Sequence, residues 1–187
     1  MVLAVVVLLA VVALVGSVAW ISNVEPFRRG SVAYAIDDRS IDVVHRSVDA
    51  LGVSGSVQTL EMRRGMTFTY RFSIENGAPV PVTVLDVGRQ GSDEEISIRP
   101  IRAKPELFAD PGPSAGFGPF EPFVIPAGSA AGIEVQVHVA RDVCYQAHSF
   151  ASIWELPVTY RILGLTRHSL VDTGTELRLE GTNATAC

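Results

Sequence analysis

Alternation of apolar and polar residues is the feature that most constrains the fold of this chain. Between residues 66 and 75, apolar residues occupy every even position and polar residues every odd position. Shorter alternating runs cover residues 133–139, 154–162 and 176–180. A period of two puts successive side chains on opposite faces of a β-strand, so each run predicts a strand with one buried face. The run from residue 154 predicts that Trp154 faces the core.

Further candidate strands are shorter, and turn-forming residues separate them. They cover residues 31–36, 56–62, 96–101, 122–125 and 168–171. The predicted turns lie at Arg64-Gly65, Asn76-Gly77, Pro126-Ala127-Gly128, Leu163-Gly164 and Thr173-Gly174. Many short strands without helices between them predict an all-β fold, an antiparallel β-sandwich.

One segment, residues 41–51, fits a helix. Ser40 is a suitable cap, Gly52 is a suitable end, and four apolar residues share one helical face. The valines in this segment suit a strand equally well.

Residues 71–88, RFSIENGAPVPVTVLDVG, read as two strands around an Asn-Gly turn. Asn76 and Gly77 tolerate positive φ, which predicts a hairpin. Pro79 and Pro81 withhold amide donors, so they suit either a sheet edge or a connection that crosses from one sheet to the other.

The first 22 residues carry no charged side chain. An apolar run of about 20 residues spans a bilayer as a helix, and Trp20 suits the membrane interface. We therefore expect a single transmembrane anchor at residues 1–22, with a cleavable signal peptide ending near Ser17-Val18-Ala19 as the alternative. A linker over residues 23–30 and a sandwich over residues 31–187 would follow, with residues 55–187 supported best.

The side of the membrane is decided by two opposing signals. Arg28 and Arg29 follow the apolar run and no basic residue precedes it, which favours a cytoplasmic domain by the positive-inside rule. The two cysteines, which suggest a disulfide, and the resemblance described below favour the outside. We therefore expect a single-pass protein of the cell membrane with an extracytoplasmic domain. A net charge of -5 gives no basic surface for nucleic acid.

The chain has two cysteines, Cys144 and Cys187. In an exported chain an even count suggests a disulfide, which here would close a loop of about 40 residues and contribute on the order of 4 kcal/mol. Two unrelated thiols are the alternative if the domain is cytoplasmic.

A segment rich in proline, glycine and phenylalanine occupies residues 104–126. Its prolines exclude a central strand over most of its length. We expect an ordered crossover whose last phenylalanines enter the core. In the sharper interpretation, the segment presents Phe108, Phe117 and Phe120 to a partner protein.

The sequence offers one candidate metal site, formed by His138, Cys144 and His148. A nearby Cys and His are typical of the blue-copper proteins, which are also β-sandwiches. Such a site needs a free thiolate and usually an axial Met, and no Met follows Cys144. We therefore expect no metal and no cofactor, and keep a copper-handling, cupredoxin-like domain as the alternative function.

Three weaker motifs carry no expected chemistry. The G-x-S-x-G match at residues 112–116 lacks the strand and helix of a nucleophile elbow. The acidic residues 93–95 suit a solvated loop better than a calcium site. Asn183 begins a glycosylation sequon. Without a nucleophile–base pair or phosphate loop, we expect no enzyme activity.

Two stretches of the sequence resemble a known pattern. GMTFTYRFSIENGAPVPVTVLDVG, followed by FGPFEPFVIPAGSAAGIEVQVHV, is similar to Ig-like sandwiches of the PapD and major-sperm-protein type. More closely, the chain resembles uncharacterised single-span proteins of actinobacterial type, in which an Ig-like domain follows an N-terminal anchor. The resemblance covers roughly residues 55–187. It implies an Ig-like fold, an extracytoplasmic position and the Cys144–Cys187 disulfide, but no catalytic residues.

These features together predict a non-catalytic, membrane-anchored module of the cell envelope. Its work would be structural or would consist in binding a partner protein, through edge strands or the phenylalanine-rich segment.

Overall fold

The computed structural model describes residues 25–34, 44–50, 53–88, 95–106, 116–141, 143 and 145–181. It also describes residues 5–7, 9, 11, 12, 15, 16 and 19, which are α-helical. Within all of these ranges, no helix has the length and hydropathy needed to cross a membrane. The anchor at residues 1–22 therefore stays a prediction.

The described chain is almost entirely β-strand. The strands are β1 (Phe27–Tyr34), β2 (Val44–Ala50), β3 (Val53–Glu61), β4 (Thr67–Asn76), β5 (Val82–Val87), β6 (Ile96–Lys104), β7 (Gly118–Pro119), β8 (Phe123–Ile125), β9 (Ala130–Val139), β10 (Phe150–Ile162) and β11 (Leu165–Glu180). Strand β1 begins within the predicted linker, so the sandwich starts before residue 31.

These strands form two sheets. The first sheet has the order β1-β4-β9-β6-β7, and the second has the order β2-β3-β11-β10-β5-β8. Neighbouring strands are antiparallel except β3 and β11, which run parallel. Side chains from both sheets meet in a main core, and Ala78, Val82, Tyr160 and Ile162 form a second, smaller buried cluster. The predicted two-sheet β-sandwich is confirmed.

The core follows the alternation of the sequence. In β4, Phe68, Tyr70, Phe72 and Ile74 are buried, and the even neighbour Met66 packs against them. Strand β9 buries its odd residues from Ile133 to Val139 against the same interior. Burial of aliphatic and aromatic side chains of this size contributes roughly 1.5–3 kcal/mol each, so these two strands supply much of the stabilisation.

The helix predicted over residues 41–51 is wrong where the structure describes it. Residues 44–50 form strand β2, which pairs antiparallel with β3 from Val44↔Thr59 to Ala50↔Val53. Pairing supplies partners for the backbone amides, and the β-branched valines lose less rotamer freedom in a strand than in a helix.

The predicted hairpin at residues 71–88 is also wrong. Strand β4 belongs to the first sheet and β5 to the second, so the stretch between them crosses the sandwich. Neither Asn76 nor Gly77 has a positive φ. The second interpretation of Pro79 and Pro81, a connection between sheets, is the correct one.

The side chain of Asn76 fixes this crossing. It is fully buried; its Nδ2 donates to the carbonyl oxygens of Val80 and Ile125, each at 2.9 Å. Its Oδ1 accepts from the amide of Ala78 at 3.0 Å. One amide group therefore ties the end of β4 to the crossing and to strand β8. A buried amide is stable only when its groups are hydrogen-bonded, and here they are.

Tyr70 carries a hydroxyl into the core. The hydroxyl donates to the carbonyl oxygen of Thr175 at 3.1 Å and so links β4 to β11 across the two sheets. Burial raises the pKa of Tyr70 from 10.0 to about 12, because a phenolate would lose its hydration there.

Replacing Asn76 tests its role in the crossing. The Asn76→Asp variant keeps the shape but turns two donors into an acceptor, and we expect it to lose about 3 kcal/mol of unfolding free energy at pH 7. The loss should shrink near pH 3, where a protonated carboxyl can donate once. In Asn76→Ala, the control, the loss should not depend on pH. Urea unfolding measures both, and an Asn76→Asp variant as stable as the parent would contradict the assignment.

The raised pKa of Tyr70 predicts a loss of stability in alkali. Its contribution is complete below pH 10, where both states are protonated. It falls as the pH rises from 10 towards 12, because the unfolded tyrosine ionises first. The difference of two pKa units corresponds to about 3 kcal/mol. In urea unfolding at pH 8, 10 and 11, the free energy of unfolding should fall less steeply in Tyr70→Phe than in the parent. Equal slopes would disprove the prediction, since the other tyrosines are common to both.

Candidate interaction groove

Strand β10 has an edge that its neighbour covers only in part. On one side β11 accompanies it from Phe150 to Ile162. On the other side the register with β5 runs only from Ile162 to Val158, and the amide of Gly88 then donates to the Pro157 carbonyl at 2.8 Å. Among the described residues, no strand follows on that side of residues 150–156. These residues form what we call the open edge of β10.

Gly88 makes the departure of β5 possible. Its φ is +104°, and a Cβ at this position would lie 2.2 Å from the carbonyl oxygen of Ile98 in β6. The backbone thus leaves the second sheet by passing directly against the first. Only glycine permits both the dihedral angle and the close approach.

An irregularity in β11 turns Trp154 outwards. Ile153 pairs with Leu177 and Glu155 with Asp172, so one residue of β10 lies opposite four of β11. Ile153 and Leu156 contact the core, whereas the side chain of Trp154 is 63% exposed. The prediction that Trp154 faces the core is wrong because this bulge shifts the alternation.

Hydrogen bonds within the bulge hold it in place. The Thr173 hydroxyl donates to the Trp154 carbonyl at 3.1 Å, and the amide of Gly174 donates to Oδ1 of Asp172 at 2.6 Å. The guanidinium of Arg29 donates to the Gly174 carbonyl at 2.5 Å. Thr173-Gly174 was predicted to separate two strands, but it lies inside β11, which is continuous.

The open edge borders a groove of about 380 Å³. Its floor consists of Ile98 from β6 and Ile153 from β10, and Trp154 and Leu170 form an exposed apolar rim. Among the described residues, its lining consists of Glu95, Ile96, Ile98, Tyr145, Ala151, Ser152, Ile153, Trp154, Glu155 and Leu170. Two of these residues are acidic and none is basic. The groove therefore combines apolar surface, negative charge and strand backbone.

Tyr145 shapes one wall of the groove. Its hydroxyl donates to Oε2 of Glu95 at 2.8 Å, while the Glu95 carbonyl accepts from the amide of Ala140 at 2.9 Å. Burial, and then the hydrogen bond to Glu95, raise the pKa of Tyr145. The phenol thus remains a neutral donor at physiological pH and holds the carboxylate at the groove.

The phenylalanine-rich segment folds back onto the sandwich where it is described. Phe117 is buried on the outer face of the first sheet, with its ring centre 5.5 Å from the guanidinium carbon of Arg71. Phe120 is half-buried and packs edge-to-face on Phe123, which enters the core as expected. Phe108 lies outside the described residues. The partner-contact role of these residues stays a prediction.

Beneath Phe117 lies a buried ion pair. Arg71 and Glu134 face each other across β4 and β9, and Nε of Arg71 donates to Oε2 of Glu134. The alternation places Arg71 on the polar face of β4, but the segment around Phe117 covers that face. An ion pair desolvated in this way needs its partner, because an uncompensated buried charge is costly.

The candidate copper ligands are described only in part. His138 is exposed, and its Nδ1 lies 2.9 Å from the Thr67 hydroxyl. His148 is exposed in a turn with a φ of 71°. Cys144 and Cys187 lie outside the described residues, so the disulfide and the copper site stay predictions. Within the described part of the chain, no three potential ligands cluster as a metal site would require.

Other predicted motifs fall largely outside the described residues as well. These are Asp93, Glu94, Ser114 and Asn183; of the acidic run only Glu95 is described, as a groove residue.

No protein-family model and no curated protein matches the chain.

Sequence reasoning missed the groove. One signal was available: the run SIWELP places Ile153 and Leu156 three positions apart, which no strict alternation can bury on one face. The opening beside β10 depends on where β5 leaves the second sheet, and the local sequence pattern of β10 does not predict that position.

The role of Gly88 can be tested against a matched glycine. Gly128 also has a positive φ, +69°, but a Cβ there would meet nothing within 4 Å. We expect Gly128→Ala to lower the unfolding free energy by about 1–2 kcal/mol, the cost of the dihedral angle alone. Gly88→Ala should cost at least about 3 kcal/mol, because backbone must also move. Equal losses in thermal unfolding would show that the contact with Ile98 is not a constraint.

Proposed function

We propose that this chain is a non-catalytic interaction module of the cell envelope that binds a partner protein through the groove at the open edge of β10. The single observation that carries the proposal is an exposed tryptophan beside an apolar groove and an uncovered strand edge. Residues 1–22 would hold the module at the membrane, with the sandwich on the extracytoplasmic side.

The composition of the groove supports binding. Large aromatic side chains are enriched at the centres of protein interfaces, and a tryptophan contributes more binding energy there than most residues. Trp154 and Leu170 are 63% and 59% exposed in the isolated chain. Among the described residues, the lining contains no histidine, cysteine or lysine, and the hydroxyl of its serine, Ser152, donates to Oε1 of Glu176. The groove therefore offers apolar, acidic and hydroxyl contacts for a ligand.

The contrast with strand β8, which forms the edge of the second sheet beyond β5, also supports the proposal. Strand β8 at that edge has 3 residues, and Pro122 and Pro126 flank it. Short strands and prolines are common protections against unwanted pairing. Residues 150–156 contain no proline, although Pro157 follows where β5 begins to cover the strand.

The groove is a better contact surface than the phenylalanine-rich segment. Phe117 already packs on Arg71, and Phe120 already packs on Phe123. A partner would reach these rings only after they leave the sandwich, whereas Trp154 can be contacted without any rearrangement.

The remaining parts of the proposal rest on the sequence. The uncharged residues 1–22 favour an anchor, and the resemblance to single-span proteins with an Ig-like domain favours the extracytoplasmic side.

Site-specific photocrosslinking tests the proposal. The photoreactive residue p-benzoylphenylalanine is placed at position 154, or as a control at position 163, where Leu163 is 48% exposed in the β10–β11 turn. In cells that produce the full chain, irradiation should give a discrete heavier adduct from position 154 alone. Leu170→Ser should weaken that adduct. No adduct at either position, or the same adducts at both, would refute the groove as the binding surface.

A further inference from the structure

We infer that the groove binds an extended peptide segment of a partner protein, in which a lysine or arginine lies between apolar side chains, and that this segment adds as a strand to the open edge of β10. The inference rests on the proposed function and specifies the chemistry of the partner.

The end of β5 leaves part of the β10 backbone without a described partner strand. In an antiparallel sheet, the amides and carbonyls of a strand point alternately to its two neighbours. β11 takes one set along β10, and the set on the other side meets β5 only from Pro157 onwards. A peptide of about seven residues, at roughly 3.3 Å per residue, would match residues 150–156 and continue the sheet.

The lining residues face both sides of such an added strand. Ala151 and Ile153 pack against the core, while Ser152 and Trp154 point outwards. A strand places successive side chains on opposite faces, so an alternating peptide would present apolar residues to Ile98 and Ile153 and its other residues to Trp154. We therefore infer that apolar and polar residues alternate along the bound peptide.

The groove carries two carboxylates that have no ion-pair partner among the described residues. Some acidic residues elsewhere in the described chain form ion pairs: Glu61 with Arg63, Glu134 with Arg71, and Glu176 with Arg178. Glu95 and Glu155, the two acidic residues of the groove, form no ion pair with any described residue. Tyr145 bonds to Oε2 of Glu95, so Oε1 can accept from a ligand. These carboxylates complement a basic side chain.

Trp154 adds a second attraction for the same side chain. The electron-rich face of an indole attracts an ammonium or guanidinium group. Glu155 is the next residue in sequence, and both side chains line the groove. A lysine or arginine here would contact ring and carboxylate together.

The same charges argue against a second copy of this chain. If two copies paired through β10, each would bring Glu155 and Glu95 to the shared edge. Like charges facing each other across a strand pair are destabilising. Self-association through β10 is therefore disfavoured, and its detection in the test would contradict the inference.

Fluorescence titration of the full chain tests the inference. The chain has two tryptophans, so Trp20→Phe leaves Trp154 as the only emitter. The probe is the peptide acetyl-Val-Lys-Val-Lys-Val-Lys-Val-amide. A second peptide has Glu in place of each Lys. Two further peptides are N-methylated on alternate residues. One carries the methyl groups on the odd residues and the other on the even residues, so each peptide lacks the amide donors along one edge of the strand.

The basic peptide should shift the Trp154 emission saturably. The acidic peptide and one of the two N-methylated peptides should bind at least tenfold more weakly. Glu155→Gln should weaken the basic peptide about threefold, while Glu121→Gln, an exposed residue that does not line the groove, should leave affinity unchanged.

Three results would overturn the inference. Equal binding of the acidic and basic peptides would exclude charge recognition. Undiminished binding of both N-methylated peptides would exclude strand addition. Concentration-dependent dimers of the peptide-free chain, dispersed by Trp154→Ala in sedimentation, would identify a second copy as the occupant. A crosslink from position 154 together with failure of all peptides would refute this inference and leave the proposed function standing.

Discussion

The hydrogen bonds of one buried amide group set the course of the chain between the two sheets. Asn76 ends β4 in the first sheet and bonds to Val80 and Ile125, so the chain must enter the second sheet beside β8. From there β5 pairs with β10 as far as Val158. The open edge begins where that pairing ends. The groove is therefore a consequence of how the sheets are joined, and its position depends on an interaction on the opposite side of β5.

Several polar groups in this sandwich form hydrogen bonds that fix the positions of its strands. The Thr173 hydroxyl and the Asp172 carboxylate stabilise the bulge that exposes Trp154, and the Tyr70 hydroxyl bonds to β11 beside it. Each of these groups exchanges hydrogen bonds with water for hydrogen bonds within the protein. Such bonds contribute about 1 kcal/mol each, but leaving their partners unsatisfied would cost more. They favour one register of β11 over its competitors.

The sequence predicted the features that depend on one strand at a time. Alternation correctly assigned the buried residues of β4 and β9, and the Leu163-Gly164 turn joins β10 to β11 as expected. It could not predict features that depend on a partner strand. Residues 44–50 are extended because β3 pairs with them, and Trp154 is exposed because four residues of β11 lie opposite one of β10. A period of two describes a strand, but says nothing about its neighbour.

The place of β11 in the second sheet has a consequence for biosynthesis. It lies between β3 and β10, and pairs in parallel with β3 from Thr175 to Glu180. During translation it is the last of the described strands to leave the ribosome. Until then, β3 and β10 lack the strand that joins them, and their apolar faces are open to other chains. Completion of the sheet must await the synthesis of β11, so a chaperone can act in the interval between the emergence of β3 and that of β11.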